Sequence, residues 1–137
     1  MTRPEQNLQI AIVIALHHRF DCLISHVPNQ GRRGLVEAGA TKRMGLLTGH
    51  PDLIVYGRDG RAFHLEVKDK VQARERAVAP GERFASLSTD QKRVVPDLRE
   101  RGFHVAVVDT VEDAIAAGAA FGLAPRRGAR PEPATEF

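Results

Sequence analysis

The sequence predicts an α/β domain with a small mixed sheet, a β-hairpin at the centre of that sheet, and helices on both of its faces. Two β-rich runs joined by an Asp-Gly pair at 59–60 indicate the hairpin. An apolar run at 103–109 lies between two helical segments with capping residues, which is typical of a buried strand in a layered fold. The 137 residues, 42% hydrophobic and 27% charged, suffice for one domain.

The elements before the hairpin follow from periodicity and turn residues. Residues 5–19 carry apolar side chains at helical spacing, and Pro4 suits the first turn of a helix. Residues 22–27 predict an edge strand that stops at the turn pair Pro28-Asn29. The glycine-punctuated stretch at 30–49 predicts a loop with a helical turn around 35–40.

The hairpin and the elements after it are marked by caps and breakers. The hairpin strands are predicted at 53–56 and 61–70, followed by a polar loop at 71–87. Ser88 and Gln91 have the spacing of a capping box, so a helix begins there, and Gly102 ends it. We expect Pro96 to kink or split that helix. Thr110 caps a last helix through about residue 120, which completes the order α-β-β-β-α-β-α.

Composition narrows the class of protein. We place one domain at residues 1–124 and expect the basic, proline-containing tail at 125–137 to be disordered. The longest apolar run, 10–16, is far shorter than the roughly 20 residues of a membrane span, so no membrane partner is expected. A single cysteine, Cys22, excludes a disulfide framework and indicates a reducing compartment. No segment matches a P-loop or dinucleotide fingerprint, so no nucleotide cofactor is expected.

The second hairpin strand carries the residues that could take part in catalysis. His64, Glu66 and Lys68 alternate with apolar residues and share one face. Taken alone, this pattern is that of a solvated face with a weak ion pair. Asp52 changes the interpretation, because the hairpin brings the start of its strand close to Glu66. Two converging carboxylates repel unless a cation lies between them, and Mg²⁺ accepts one or two carboxylates. Lys68 would then orient or deprotonate the water that attacks a phosphodiester.

An ordered set of motifs surrounds this trio. Its members, from the first to the last, are His26-Val27-Pro28-Asn29, Arg32-Arg33, Lys42-Arg43-Met44-Gly45, Gly49-His50-Pro51-Asp52-Leu53, Phe63-His64-Leu65-Glu66-Val67-Lys68, Leu87-Ser88-Thr89-Asp90-Gln91, Gly102-Phe103-His104-Val105 and Val111-Glu112-Asp113-Ala114. The set resembles the VRR-NUC branch of the PD-(D/E)XK nucleases and spans residues 5 to about 122. A bare Pro-Asp…Glu-x-Lys pattern recurs by chance in many chains, whereas the whole ordered set is specific.

The resemblance implies a PD-(D/E)XK nuclease-like core and metal-dependent hydrolysis of DNA, with Mg²⁺ as the cofactor and Mn²⁺ able to substitute. The matching catalytic positions are Asp52, Glu66, Lys68 and Gln91, and the matching metal ligands are Asp52, Glu66, Glu5 and the main-chain carbonyl of Val67. Glu5 is equally well explained as an acid in the first turn of a helix. Gln91 has a capping role whether or not it lines the site.

The resemblance also suggests partners. The residues expected to bind DNA are Asn29, Arg32, Arg33, Lys42, Arg43 and His50, and of these the arginines and the lysine are expected to contact phosphates. His50 is equally well explained by a role in the turn before Asp52. Short members of the family resemble homodimeric junction-cleaving nucleases of phages and bacteria, so we expect a cytoplasmic homodimer that acts on branched or duplex DNA, with activity like that of a Holliday (four-way) junction resolvase. A base-stacking platform is poorly supported, because aromatic residues make up only 5% and tryptophan is absent.

Two alternatives to this function remain open. One is a non-catalytic DNA-binding or assembly protein that retains the nuclease fold, although the intact trio of Asp52, Glu66 and Lys68 argues against it. The other is a nuclease of a different substrate class, either a restriction-type enzyme or an RNase. No separate recognition domain is visible in the sequence, which favours readout of DNA shape over readout of base sequence.

Overall fold

A computed structural model describes residues 3–28, 39–40, 42–68 and 87–128. The elements are α1 (Arg3–Arg19), β1 (Leu23–His26), β2 (Leu53–Tyr56), β3 (Ala62–Val67), α2 (Thr89–Glu100), β4 (Val105–Val108) and α3 (Val111–Phe121). This is the predicted order. The loop predicted at 71–87 lies outside the described residues except for Leu87. None of the described helices is long and apolar enough to cross a membrane.

The four strands form one mixed sheet in the order β1-β2-β3-β4. β1 pairs with β2 and β2 with β3 in antiparallel fashion, whereas β3 and β4 are parallel, with Val67 opposite Val108. The predicted hairpin therefore occupies the centre of the sheet, and β1 is an edge strand as expected. Asp59 and Gly60 at the hairpin tip both have positive φ, at 60° and 73°, as an Asp-Gly hairpin turn requires.

Helices cover both faces of the sheet, as predicted. On one face α1 and α3 pack together over a continuous apolar core. The largest buried side chains of that core are Ile12, Leu16, Leu53, Phe63 and Leu65. On the other face α2 packs on β4 through a smaller cluster that contains Val95, Val105 and Val107. The alternation of β3 therefore places Phe63, Leu65 and Val67 in the core and leaves His64 and Glu66 facing the α2 side.

The two ends of α2 are fixed by local hydrogen bonds. Ser88 and Gln91 form the predicted capping box, in which each side chain bonds to the backbone N–H of the other residue. At the other end the N–H of Phe103 donates to the carbonyl of Leu98 at 3.0 Å, next to Gly102, which is a Schellman-type ending.

The expected split of α2 at Pro96 is wrong, because the helix continues through it from Thr89 to Glu100. Proline removes the bond that the carbonyl of Lys92 would otherwise accept. Pro96 and Lys92 are both exposed, so water can hydrogen-bond to that carbonyl in place of the missing N–H.

Two further expectations concern segments that lie only partly within the described residues. Residues 39–40 and 42–43 are helical, while the rest of the helical turn expected around 35–40 lies outside the described residues. Of the tail expected at 125–137, Pro125 forms a β-bridge with Phe20, and the N–H of Arg126 donates to the carbonyl of Arg19 at 2.9 Å. Residues 129–137 lie outside the described part of the chain.

Candidate active site

Asp52 is held at the start of β2 by hydrogen bonds to both neighbouring strands. Its carboxylate oxygen Oδ2 accepts the N–H of Val67, at the end of β3, at 2.9 Å. Its main-chain carbonyl accepts the N–H of Val27, just after β1, at 2.8 Å. The side chain is buried, with 3% of the residue exposed. The carboxyl group is therefore fixed in place by the sheet, as the hairpin pattern predicts.

Glu66 lies on β3 beside Asp52 and is the more deeply buried of the two acids, with 1% of its surface exposed. Its Oε2 accepts a hydrogen bond from Nε2 of Gln91 at 2.5 Å and lies 3.5 Å from the ammonium group of Lys68. Its second oxygen, Oε1, is buried and has no hydrogen-bond partner among the described residues. A buried acceptor without a donor is costly, so this oxygen indicates a missing cationic or hydrogen-bonding partner.

The electrostatics of the pair support that conclusion. Burial and, next to it, the nearby charge of Asp52 together raise the pKa of Glu66 to about 8, although Lys68 opposes the shift. The pKa of Asp52 is also raised by burial, against the lowering effect of its hydrogen bond from Val67. The two buried acids beside Lys68 therefore retain a proton near neutral pH. A bound divalent cation would supply the positive charge that this proton supplies in its absence.

The donor set fits magnesium better than a transition metal. The described residues contain no cluster of three or more His, Cys, Asp or Glu side chains arranged to hold a metal ion. The structure thus brings Asp52 and Glu66 together but does not group Glu5 with them. Glu5 is half-buried in the first turn of α1, and its role as a ligand stays a prediction, as does that of the Val67 carbonyl. Two carboxylates with room for water are the ligands that Mg²⁺ takes.

Gln91 performs two tasks with one side chain. Its Oε1 accepts the N–H of Ser88 at 2.9 Å, which completes the capping box. Its Nε2 then donates to Glu66, so the first turn of α2 is joined to the acid pair. The capping interpretation and the site-lining interpretation of Gln91 are therefore compatible.

Gly49 brings the segment before Asp52 against the same turn of α2. Its φ is +91°, and a Cβ atom at this position would lie 2.6 Å from the carbonyl carbon of Asp90. Only glycine allows this backbone approach, which fixes the spacing between Asp52 and the residues of α2. The motif around Asp52 contains this glycine, but nothing in the sequence indicates its contact with residue 90.

The predicted DNA-contacting residues are only partly described. Asn29, Arg32 and Arg33 lie outside the described residues, and Lys42 and Arg43 are exposed on a helical turn. His50 is half-buried, and its Nδ1 lies 2.7 Å from the carbonyl of Pro51.

Two residues near the acid pair had no role assigned from the sequence. Asp109 is buried directly after β4, beside the point where the N–H of Lys68 donates to the carbonyl of Val108 at 2.9 Å. His26, at the end of β1, lies 3.0 Å from the side-chain amide of Gln9, and its charge lowers the pKa of Asp52 slightly. The positions of Asp109 and His26 near the acid pair both depend on strand pairings between distant segments of the chain.

A solved structure described as a VRR_NUC domain protein matches this architecture. The match has a TM-score of 0.59 and covers 89% of this chain and 90% of that chain, at 21% sequence identity. This chain has the VRR_NUC fold. The VRR-NUC resemblance and the predicted nuclease-like α/β architecture are confirmed at the level of the fold, over nearly the whole length. No family model and no curated protein matches the sequence.

Proposed function

We propose that this protein is a Mg²⁺-dependent endonuclease that hydrolyses phosphodiester bonds in DNA. One observation carries the proposal, namely the buried acid pair of Asp52 and Glu66. The Oε1 atom of Glu66 has no hydrogen-bond partner among the described residues, and the ammonium group of Lys68 lies 3.5 Å from Oε2. Perturbed acids that converge beside a fixed cation are typical of catalytic sites. The similarity in fold to a solved VRR_NUC domain protein supports the proposal.

Asp52 and Glu66 would hold the metal ion, together with the main-chain carbonyl of Val67. When bound, a Mg²⁺ ion supplies positive charge that polarises the phosphate and stabilises the leaving oxygen. The chain itself contributes rigidity, because Asp52 is fixed by Val67 and Glu66 by Gln91. Neither carboxylate has to be reoriented when substrate arrives, which is the preorganisation that electrostatic catalysis requires.

Lys68 is the chain's candidate for moving a proton. Its side chain is 16% exposed, so it reaches the substrate side while its ammonium group stays beside Glu66. From that position it can hold the attacking water by a hydrogen bond and stabilise the charge that develops on the phosphate. Its backbone is fixed between β3 and β4 by the bond to Val108, so the side chain projects from a rigid strand end.

The finer expectations are part of the same proposal. We propose a cytoplasmic homodimer that cleaves four-way junction DNA in preference to linear duplex. Two copies would double the basic surface and present two acid pairs to opposite strands, which suits a branched substrate with two-fold symmetry. Contacts from exposed residues such as Lys42 and Arg43 would make binding weaker as salt rises, since each contact releases counterions.

The central experiment is nicking of a supercoiled plasmid with Mg²⁺, with Mn²⁺, and with EDTA. We expect cleavage with either metal, none in EDTA, and none for Asp52→Asn or Glu66→Gln. Glu100→Gln, which changes an exposed acid at the end of α2, is the matched control and should cleave like the parent. Undiminished cleavage in EDTA would refute the metal-dependent mechanism. DNA binding without any cleavage would favour the non-catalytic alternative.

Substrate and assembly are tested separately. A panel of duplex, flap, splayed-arm and four-way junction DNA, together with an RNA duplex, ranks the substrate classes directly. Equal cleavage of duplex and junction would contradict the junction preference. Light scattering under the conditions of cleavage gives the mass, and a monomer there would contradict the homodimer.

A further inference from the structure

A row of three aromatic rings begins beside the acid pair. His50 precedes Asp52 by two residues in the segment before β2, and His64 precedes Glu66 by two residues on β3. The centroids of these two rings lie 5.6 Å apart, with an interplanar angle of 73°. Phe103 continues the row, with its ring centroid 6.2 Å from that of His64 at an interplanar angle of 87°.

The row lies on the same face of the sheet as Glu66. His64 and Glu66 point to one side of β3, and two residues of strand separate them by roughly 7 Å. His50 and His64 are half-buried, so part of each ring remains accessible. A DNA strand whose phosphate lies at the acid pair would therefore have a neighbouring nucleotide over these rings.

Phe103 is a large apolar residue whose side chain is exposed to water. It is 51% exposed, yet its backbone is fixed by the Schellman-type ending of α2. Exposed aromatic rings stack on nucleobases of any sequence.

We infer that the row of His50, His64 and Phe103 is a subsite for an unstacked nucleobase of the strand that is cut. The inference rests on the proposed function for the position of the phosphate. It specifies the substrate further, because a base can reach Phe103 only where DNA is unpaired or locally distorted. The low aromatic content that argues against a stacking platform is an average, and the fold gathers the rings at one place.

The test is binding of a short single strand that contains the fluorescent base 2-aminopurine, compared with a blunt duplex of the same sequence. The Glu66→Gln background prevents cleavage. We expect Phe103→Ala and Phe103→Leu to weaken single-strand binding by between about 5-fold and 100-fold and to remove the fluorescence change, because base stacking of this kind is lost with the ring. Phe103→Trp should retain both, and duplex binding should change little in all three variants.

The control variant is Tyr56→Ala. Tyr56 is a similarly exposed aromatic residue, 43% accessible, at the far end of the hairpin, and its loss should leave single-strand binding unchanged. Phe103→Leu keeps an apolar side chain, so it separates loss of the ring from loss of packing, and a thermal melt checks that each variant is folded.

Three results would overturn the inference. The first is unchanged single-strand affinity and fluorescence in both Phe103→Ala and Phe103→Leu. The second is an equal loss of affinity for duplex. The third is conversion of a dimer to a monomer in these variants, which would identify the patch as a contact between copies of the chain. Stacking on Phe103 without cleavage by the parent protein would refute only the nuclease activity, whereas a parent protein that binds no DNA would refute both.

Discussion

Leu65 and Glu66 lie on opposite faces of β3 and are equally buried, but their surroundings are chemically opposite. Leu65 has no exposed surface and Glu66 has 1%, although they are adjacent in the chain. Leu65 contacts the apolar side chains of the core between the sheet, α1 and α3. Glu66 contacts another acid, a lysine and a glutamine, and its Oε1 has no hydrogen-bond partner in the described part of the chain. Burial alone therefore does not distinguish a residue that stabilises the fold from one that performs chemistry. The contacts of its atoms do.

The largest expected effect is on the chemical face. Lys68→Ala removes the ammonium group 3.5 Å from Glu66. We expect the cleavage rate to fall by several orders of magnitude, because both proton transfer and charge stabilisation are lost. DNA affinity should change much less, because one phosphate contact among many is lost. Single-turnover cleavage and equilibrium binding measure the two quantities.

Lys68→Arg sharpens this result. Arginine keeps the positive charge but does not release its proton and is bulkier, so we expect partial rescue of binding without full rescue of the rate. Parental rates in both Lys68 variants would show that this lysine belongs to a solvated face after all.

The core face should respond in the opposite way. Leu65→Ala leaves a cavity under β3, and we expect a loss of about 2–5 kcal/mol in the free energy of unfolding, measured by denaturant titration. Glu66→Gln keeps the volume and removes the repulsion between two acids, so the metal-free protein should be as stable as the parent or more so. A similar large destabilisation in both variants would mean that the two faces do not divide stability and chemistry as proposed.

The last expected effect is a pH dependence of stability in EDTA. The pKa of Glu66 rises from its ordinary value of 4.5 to about 8 on folding, so the folded state holds an extra proton between these values. The stability that this proton contributes is therefore fully present below about pH 4.5 and is lost as the pH rises to about 8.

Thermal melts across this range, for the parent and for Glu66→Gln, measure the contribution of Glu66 by difference. The comparison is needed because burial lowers the pKa of His64, which acts in the opposite direction as pH falls below 6.5. Added Mg²⁺ should raise the melting temperature more at high pH, where it competes with fewer protons. The same pH dependence of the melting temperature in the parent and in Glu66→Gln would contradict the raised pKa of Glu66.

The features that the sequence predicts correctly are those set by near neighbours. The Asp-Gly pair determines the hairpin turn, and Ser88 with Gln91 determines where α2 begins. The alternation along β3 separates the apolar face from the polar one, and the hairpin register then brings Asp52 to Glu66. Each of these depends on a few adjacent residues or on a single turn.

The features that the sequence does not predict depend on contacts between distant segments. The bond from Gln91 to Glu66 spans 25 positions, and the approach of Gly49 to Asp90 joins segments on either side of the hairpin. The aromatic row likewise gathers His50, His64 and Phe103 from three separate motifs. Pro96 shows the converse, because a local rule for breaking helices is overridden where the affected residues face water.

Gly49 has a consequence for how the protein tolerates mutation. It contributes no side chain to the reaction, yet any replacement would have to adopt a φ of +91° and displace the backbone of residue 90. The displacement would carry Gln91 away from Glu66 and so disturb the acid pair without altering one of its atoms. In a saturation scan of all positions for DNA cleavage, position 49 should therefore be as intolerant as the acids themselves, while its exposed neighbour at 47 accepts many residues.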